Sequence, residues 1–555
     1  MVQEVGSPAS GAPLGETGSP SPEAQAHDVA QPLLSQPRPA KTEDLQGPGK
    51  RRLRLVVLGI CSLSLFMATL DNTIVNVALP VMQRQFHASV AELQWVADAY
   101  LLVLASLLVF AGSLGDRFGR RRVLRTGLVI FGLGSLACSL SVNLPMLIAC
   151  RMLQACGGCM LNPNSLSIIS DTFRDRRERA AAIGFWGGVV GVSTAAGPIL
   201  GGGLIEVIDW RAIFWVNVPV VLAAIVLIWR FVPESRAAKP RRFDPRGQVL
   251  AVVVLACLTY GIIEGPGDGW TSAPIVTCFA VVLGGLVALV IAELRQPEPL
   301  VDLRFFKSPP FSGAAAIATL AFVVLAGWLF LNTLYLQEVR HYSPLLAGTA
   351  ALPATLVIVV VSPLTGRAVG TRGPRVPLIA SGFLLAAGSG LLILVDPSTP
   401  YWFLACCYLL IGLGFGMVNP PITNTAMSGM PLAQAGVAAA IASTSRQVGS
   451  VLGVAVLGSL VSAGMKGQVE SRLAKVHLPA KVAAQLKSSS AGAGGLASTN
   501  LPPRAAKLAG EAFAAATHAG WVAAAACGLA VALVATATTG RRAVVRAKHV
   551  MAQAG

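Results

Sequence analysis

Residues 54–79 read RLVVLGICSLSLFMATLDNTIVNVAL, and residues 91–115 read AELQWVADAYLLVLASLLVFAGSLG. Each is apolar over the length a helix needs to cross about 30 Å of hydrocarbon. Each also carries an acid well inside that run, Asp71 in the first and Asp98 in the second, the latter with Glu92 at the very start of its stretch. A carboxylate in hydrocarbon costs about 2.5–3.5 kcal/mol even on insertion scales, so its presence there points to a task. The two common tasks are carrying a proton and attracting a cationic substrate.

Working outward, twelve more blocks of the same kind follow, at 123–141, 145–169, 180–205, 212–232, 247–264, 274–294, 312–336, 345–366, 376–395, 401–428, 435–463 and 516–540. The expected fold class is an all-α polytopic membrane protein with 14 transmembrane helices. The composition agrees: 54% of the 555 residues are hydrophobic and 12% charged, about half the charge of a soluble domain. The first apolar block is too long for a cleavable signal and lies behind a polar tail, so it is expected to act as its own targeting signal.

The net charge of +17 resembles a nucleic-acid signature until it is mapped. The basic residues gather at alternate loops: GKRRLR (49–54), DRFGRRRVLR (116–125), FRDRRER (173–179) and SRAAKPRRFDPRG (235–247). Arg84, Arg211 and Arg340 alone fall in the opposite short loops. By the positive-inside rule the basic loops and both termini face the cytoplasm. Charge therefore sets topology and contacts membrane lipids, and no nucleic acid partner is expected.

Residues 1–50 hold eight prolines and no apolar periodicity, which reads as a disordered cytoplasmic tail; 541–555 is a second tail. The 464–515 stretch is the one long outer loop. Val469, Leu473 and Val476 have helical spacing before Pro479, so it forms either a short amphipathic cap or a flexible loop. All ten cysteines fall within spans. Cys156 and Cys159 have metal-site spacing, but in an apolar helix without a nearby histidine they read as small packing residues, and no metal is expected.

An internal repeat divides the chain. Gly112, Gly119 and Arg121 align with Gly366, Gly373 and Arg375 without a gap. Two six-helix halves, 51–232 and 312–540, separated by a two-helix insert at 233–311, account for the offset. Repeats of this kind place a substrate site between the halves of an alternating-access transporter.

Several motifs then coincide: LDNTIVNVALP (70–80), GSLGDRFGRRRVL (112–124), RMLQACGGCM (151–160), GVSTAAGPILGG (191–202), DWRAIFWVNVP (209–219), GLGFGMVNPP (412–421) and RQVGSVLGVAVLG (446–458). Together they resemble the major facilitator superfamily, specifically its fourteen-helix drug:proton antiporter branch, over residues 50–460. The resemblance implies two six-helix bundles with a two-helix insert in the bacterial cytoplasmic membrane. It implies export of small lipophilic or cationic drugs or antibiotics in exchange for protons. One departure is Ala155, where the family carries glycine.

The candidate residues carry alternatives. Asp71, with Asn72 and Asn76 at i,i+4 spacing, is either the proton-coupling group or a structural hydrogen bond between helices. Asp98, one turn after Gln94 and Trp95, is either part of a cation site or wetted at the membrane interface beside an anchoring Trp95. Arg151 needs an acidic partner, and Asp71 and Asp98 are the candidates; the resemblance implies that it takes part in proton coupling. Arg446, the other arginine within a span, reads as snorkelling toward the cytoplasmic surface.

In the 112–124 loop, Gly112, Asp116, Arg117, Gly119 and Arg120 form the expected gating segment. Asp116 pairs with Arg120 at i,i+4 or with the positive end of a second-half helix; the alternative is a purely topological loop. On the fifth span, Gly184/Gly188, Gly187/Gly191 and Gly197/Gly201 strip one face of side chains, so neighbouring helices are expected to approach closely along it. Pro198 permits a bend. The resemblance makes Gly191, Gly197, Pro198, Gly201 and Gly202 members of an antiporter motif. It places this helix between the halves and favours efflux over uptake.

No GxxxxGK[ST] loop and no nucleophile–base pattern stand out. The expectation is a transporter, not an enzyme, with no cofactor and a proton gradient as its energy source, acting as a monomer. The alternatives are a dedicated exporter of one metabolite or lipid, and a non-transporting membrane sensor on the same fold.

Overall fold

The computed structural model describes residues 50–236, 244–295, 303–427, 435–474, 479, 481–483 and 502–540. Fourteen of its helices are long and apolar enough to cross a membrane. The first half comprises α1 (Arg51–Phe86), α2 (Val90–Phe118), α3 (Arg120–Ser139), α4 (Leu144–Thr172), α5 (Arg176–Val207) and α6 (Ala212–Phe231). The insert is α7 (Pro245–Asp268) and α8 (Ala273–Arg295). The second half comprises α9 (Pro309–Leu334, ending in a π turn at Tyr335–Val339), α10 (Pro344–Ala350 and Leu352–Arg372), α11 (Arg375–Leu392), α12 (Tyr401–Met427), α13 (Ala435–Leu473) and α14 (Pro503–Thr538).

Local chemistry sets the ends. Ser89 and Glu92 form a reciprocal capping box that starts α2. Asn143 caps α4, with Pro145 in the first turn where a missing N–H costs nothing. Gly119 turns the chain from α2 to α3 with φ of 107°, and its repeat partner Gly373 does the same between α10 and α11 with φ of 83°. Only glycine adopts that backbone without strain, which is why both copies of the motif keep it. The first glycine of each copy also lies over a proline of the same half, Gly112 over Pro163 and Gly366 over Pro420.

Three boundaries differ from the sequence expectation by seven residues or more. α1 runs through Pro80 to Phe86, seven residues beyond the expected end. α13 continues ten residues past 463, with Val469 fully buried, and α14 starts at Pro503 instead of 516. The expected outer loop therefore begins and ends as helix, because apolar contacts across α13 and α14 extend the spans. Residues 1–49, 484–501 and 541–555, where tails and loop were expected, lie outside the described residues, as does Val476. Cys159 donates its thiol to the Cys156 carbonyl of its own helix at 3.1 Å.

The insert straps one seam between the halves. From α7, Gln248 donates to the Ser106 carbonyl of α2 at 2.5 Å, and Glu264 accepts from the Trp95 indole at 2.7 Å. From the other side, Ser459 of α13 donates to the Ile262 carbonyl at 2.6 Å. α8 packs on α7 and turns Leu283, Leu286, Val287 and Leu294 outward, as a lipid-facing helix does.

Candidate functional site

Asp71 lies fully buried, facing α4 and α6 across the first half. Its Oδ2 accepts from Arg151 Nη1 at 2.6 Å, and its Oδ1 from Gln154 Nε2 at 2.7 Å and Asn217 Nδ2 at 2.9 Å. Arg151, 1% exposed, also donates to Gln154 Oε1 at 2.7 Å and to the Val96 carbonyl at 3.4 Å. Its guanidinium stands 4.3 Å from the Tyr100 ring centroid. Ser135 closes the cluster, accepting from Gln154 at 2.6 Å and Asn217 at 3.2 Å.

Five helices thus meet at one buried ion pair. Arg151 and Gln154 share a face of α4 by their three-residue spacing. Gly134 lets α3 close onto α4, since a Cβ there would strike the Gln154 backbone. Both oxygens of Asp71 are bonded and its charge is balanced, so a bulky cation has no room on it in this conformation. Besides Asp71, Arg151 has Gln154, the Val96 carbonyl and the Tyr100 face to support its charge.

Of the two sequence candidates for partnering Arg151, the structure pairs Asp71 and leaves Asp98 apart. Asp98 is fully buried, and among the described residues neither of its oxygens has a hydrogen-bond partner. It follows Gln94 by one turn on the same face of α2. Gln94 spans the seam between the halves, donating to the Val454 and Ala455 carbonyls of α13, both at 2.9 Å. In this conformation Asp98 is therefore shielded and not wetted at the interface. Trp95 points elsewhere: its indole is spent on Glu264 of the insert, with Tyr260 beside it at 6.2 Å.

Asn72 and Asn76 do not join the cluster. Asn76 donates to the Asn72 carbonyl at 3.0 Å, and both are half-buried on another side of α1. The amides beside Asp71 come instead from other helices, Gln154 from α4 and Asn217 from α6.

On the face with the basic loops, Arg120 bridges two helices of the first half. It donates to Asp116 at 2.9 Å and to Asp171 of α4 at 2.5 Å. Glu234, just after α6, accepts from the Arg121 backbone at 3.0 Å beside Gly119. Arg117 lies over the Phe118 ring. Among the described residues, Asp116 pairs within its own half, so the alternative of a latch on a second-half helix is not engaged here.

The opposite face is closed. Gly202 and Gly348 bring α5 and the first piece of α10 together, each pressed on the other segment's backbone (Pro344 and Leu345, and Pro198). Gly197 and Gly201 fit against Thr73 and Ile74 of α1. Gln337, in the π turn of α9, donates to the Val77 carbonyl at 2.9 Å, and Glu338 faces Arg84 at 3.8 Å.

The close approach expected along all of α5 holds only for this part, which corrects the reading of its other glycines. Gly191 belongs to the quoted motif but is not in a tight contact. It is half-buried, and a Cβ there would stand 3.6 Å from the Val359 side chain of α10, an ordinary van der Waals distance. The helices therefore touch at Gly191 without needing a glycine. A Cβ at Gly184, Gly187 or Gly188 would meet open space.

Gln154, Asn217, Ser135, Gln337 and Glu264 were not singled out as site residues from sequence. Gln154 and Asn217 sit inside quoted motifs, RMLQACGGCM and DWRAIFWVNVP, which is the one signal that marked them.

Known proteins are similar to this chain in sequence and in architecture. The family model described as Major Facilitator Superfamily matches residues 61–454. The chain is 37% identical over 422 residues to the multidrug resistance protein Stp of Mycobacterium tuberculosis (strain CDC 1551 / Oshkosh), covering 76% of this chain and 78% of that one. It is 35% identical over 459 residues to the tetracenomycin C resistance and export protein of Streptomyces glaucescens, covering 82% of each. Its fold is similar to an inward-facing, unoccupied crystal structure of a bacterial homolog of the human lysosomal transporter Spinster, with a TM-score of 0.62 at 18% identity, covering 88% of this chain and 98% of that one. Fourteen spans, paired six-helix halves and the matched family model make one conclusion: the chain is a bacterial, multi-pass cytoplasmic-membrane protein that belongs to the major facilitator superfamily.

Proposed function

We propose that the chain exports lipophilic, often cationic, drugs or antibiotics by exchanging them for protons. The observation that carries this reading is the sealed Asp71–Arg151 pair, with Gln154, Asn217 and Ser135 around it. A buried ion pair gives little stability for its desolvation cost, so its place at the centre of a half argues for use. Proton binding by Asp71 replaces an ion pair by a lone cation, and the half must rearrange to support it. With the basic face in the cytoplasm, the closed opposite face makes this the inward-facing conformation. Rocking the halves parts α2 from α13 and uncovers Asp98, the carboxylate left for a cationic substrate. Proton and cation then compete across one conformational change, which is what exchange requires.

The relatives' names support drug export, and one of them, a tetracenomycin C resistance and export protein, favours a second reading: dedicated export of a single metabolite. The test is proton movement in inverted vesicles with an acidified lumen. On adding a panel of lipophilic cations and neutral antibiotics, at least one compound is expected to dissipate the gradient in vesicles containing the protein and not in vesicles without it. No response to any compound, from protein shown to be folded and inserted, would count against multidrug exchange and leave the dedicated exporter or the sensor.

A further inference from the structure

Between Asp396 and Lys466 the chain carries a single charged residue, Arg446, and it lies within a membrane span. No acid in that whole stretch is available to balance it. Its guanidinium reaches from α13 to α12, where Nη1 donates to Asn419 Oδ1 at 3.2 Å and Thr423 Oγ1 at 3.3 Å. Both acceptors are neutral and both bonds are long. The side chain does not extend along its own helix to the surface, as snorkelling would require, but turns across to its neighbour, half-buried.

The contrast with Arg151 is direct. The first half gives its arginine a carboxylate at 2.6 Å, a glutamine and an aromatic face. The second half gives Arg446 two neutral oxygens and, among the described residues, no carboxylate. A cation left so in a span is costly. Its planar fork has five N–H donors, and the two bonds here use one nitrogen, leaving the geometry that grips an oxyanion in bidentate fashion. α12 ends and α13 begins on the basic face, so Arg446 lies in the part of the molecule where Gly184, Gly187 and Gly188 of the other half face open space.

We propose that Arg446, Asn419 and Thr423 form an oxyanion subsite that takes the carboxylate or phosphate group of an amphiphilic molecule. Arg446 supplies the charge, and Asn419 and Thr423 hold the guanidinium in place. As a substrate subsite this rests on the export reading, and it extends the substrate class from cations to amphiphilic acids. As a binding site it stands without transport.

The test is binding to the purified full-length protein in a neutral detergent, with 2-naphthoate, the uncharged 2-naphthylmethanol, and dioctanoyl phosphatidate as probes. Wild type is expected to bind 2-naphthoate at least tenfold more tightly than the alcohol. Arg446→Gln should erase that difference, Arg446→Lys should keep part of it, and Asn419→Ala, which retains the charge, should weaken naphthoate severalfold. If phosphatidate alone gains from Arg446, the oxyanion is a lipid headgroup and the subsite stands with that occupant. Equal binding of all three probes in wild type, or an unchanged preference in folded Arg446→Gln, overturns the proposal. Neither result depends on proton movement, so failure here and failure of the exchange reading are separable.

Discussion

Among the described residues Arg151 holds the only positive charge bonded to Asp71, and removing it leaves a buried carboxylate with the Gln154 and Asn217 amides but no counter-charge. Breaking one side of a buried pair costs about 3–5 kcal/mol, so Arg151→Gln should lower the thermal unfolding temperature in detergent clearly below wild type. Adding Asp71→Asn to that variant removes the stranded charge and should recover most of the loss, without restoring exchange. An Arg151→Gln protein that melts with wild type would show that the pair carries no such energy. The two charged members were legible in the sequence because an acid and an arginine inside apolar runs are costly and therefore conspicuous. Gln154, Asn217 and Ser135 were not, since neutral polar side chains in spans are common and only three-helix packing decides which of them face one another. Asn72 and Asn76 lie near Asp71 in sequence, but they bond to each other on another side of α1 and not to its carboxylate.

Among the elements, α5 shows how far spacing can be read. Its glycines mark a face without side chains, and that face does meet other helices tightly at Gly197, Gly201 and Gly202. Spacing says nothing of depth, so it could not show that Gly191 meets Val359 only at ordinary contact distance, or that Gly184, Gly187 and Gly188 look into open space. The contact of Gly348 with the Pro198 carbonyl leaves no volume for a branched side chain. Gly348→Val should therefore disfavour the closed opposite face. With a cysteine introduced at Gln337, which is 1% exposed in the closed seam, labelling by a membrane-impermeant maleimide added at that face should speed up severalfold in the Gly348→Val background. An unchanged labelling rate would mean that this glycine contact does not hold the seam. The π turn that carries Gln337 and Glu338 left no mark in the sequence, because it depends on how α9 ends against α1 and not on a residue pattern.

Across the whole molecule, the number of spans, the two halves and the insert were legible because hydrocarbon imposes a length on every crossing helix. Helix ends beyond the apolar core were not, since α13 and α14 extend by packing on each other. The insert's place was equally hidden: Gln248, Glu264 and Ile262 fix α7 across the α2–α13 seam, and none of the three is unusual in sequence. In the proposed exchange, a proton on Asp71 drives the rearrangement of the halves. In proteoliposomes, proton-driven uptake and substrate counterflow separate the proton's role from the movement itself, using any compound found active in the vesicle panel. Asp71→Asn is expected to lose proton-driven transport by at least tenfold while keeping counterflow of that compound. Proton-driven transport at the wild-type rate in Asp71→Asn would contradict the account.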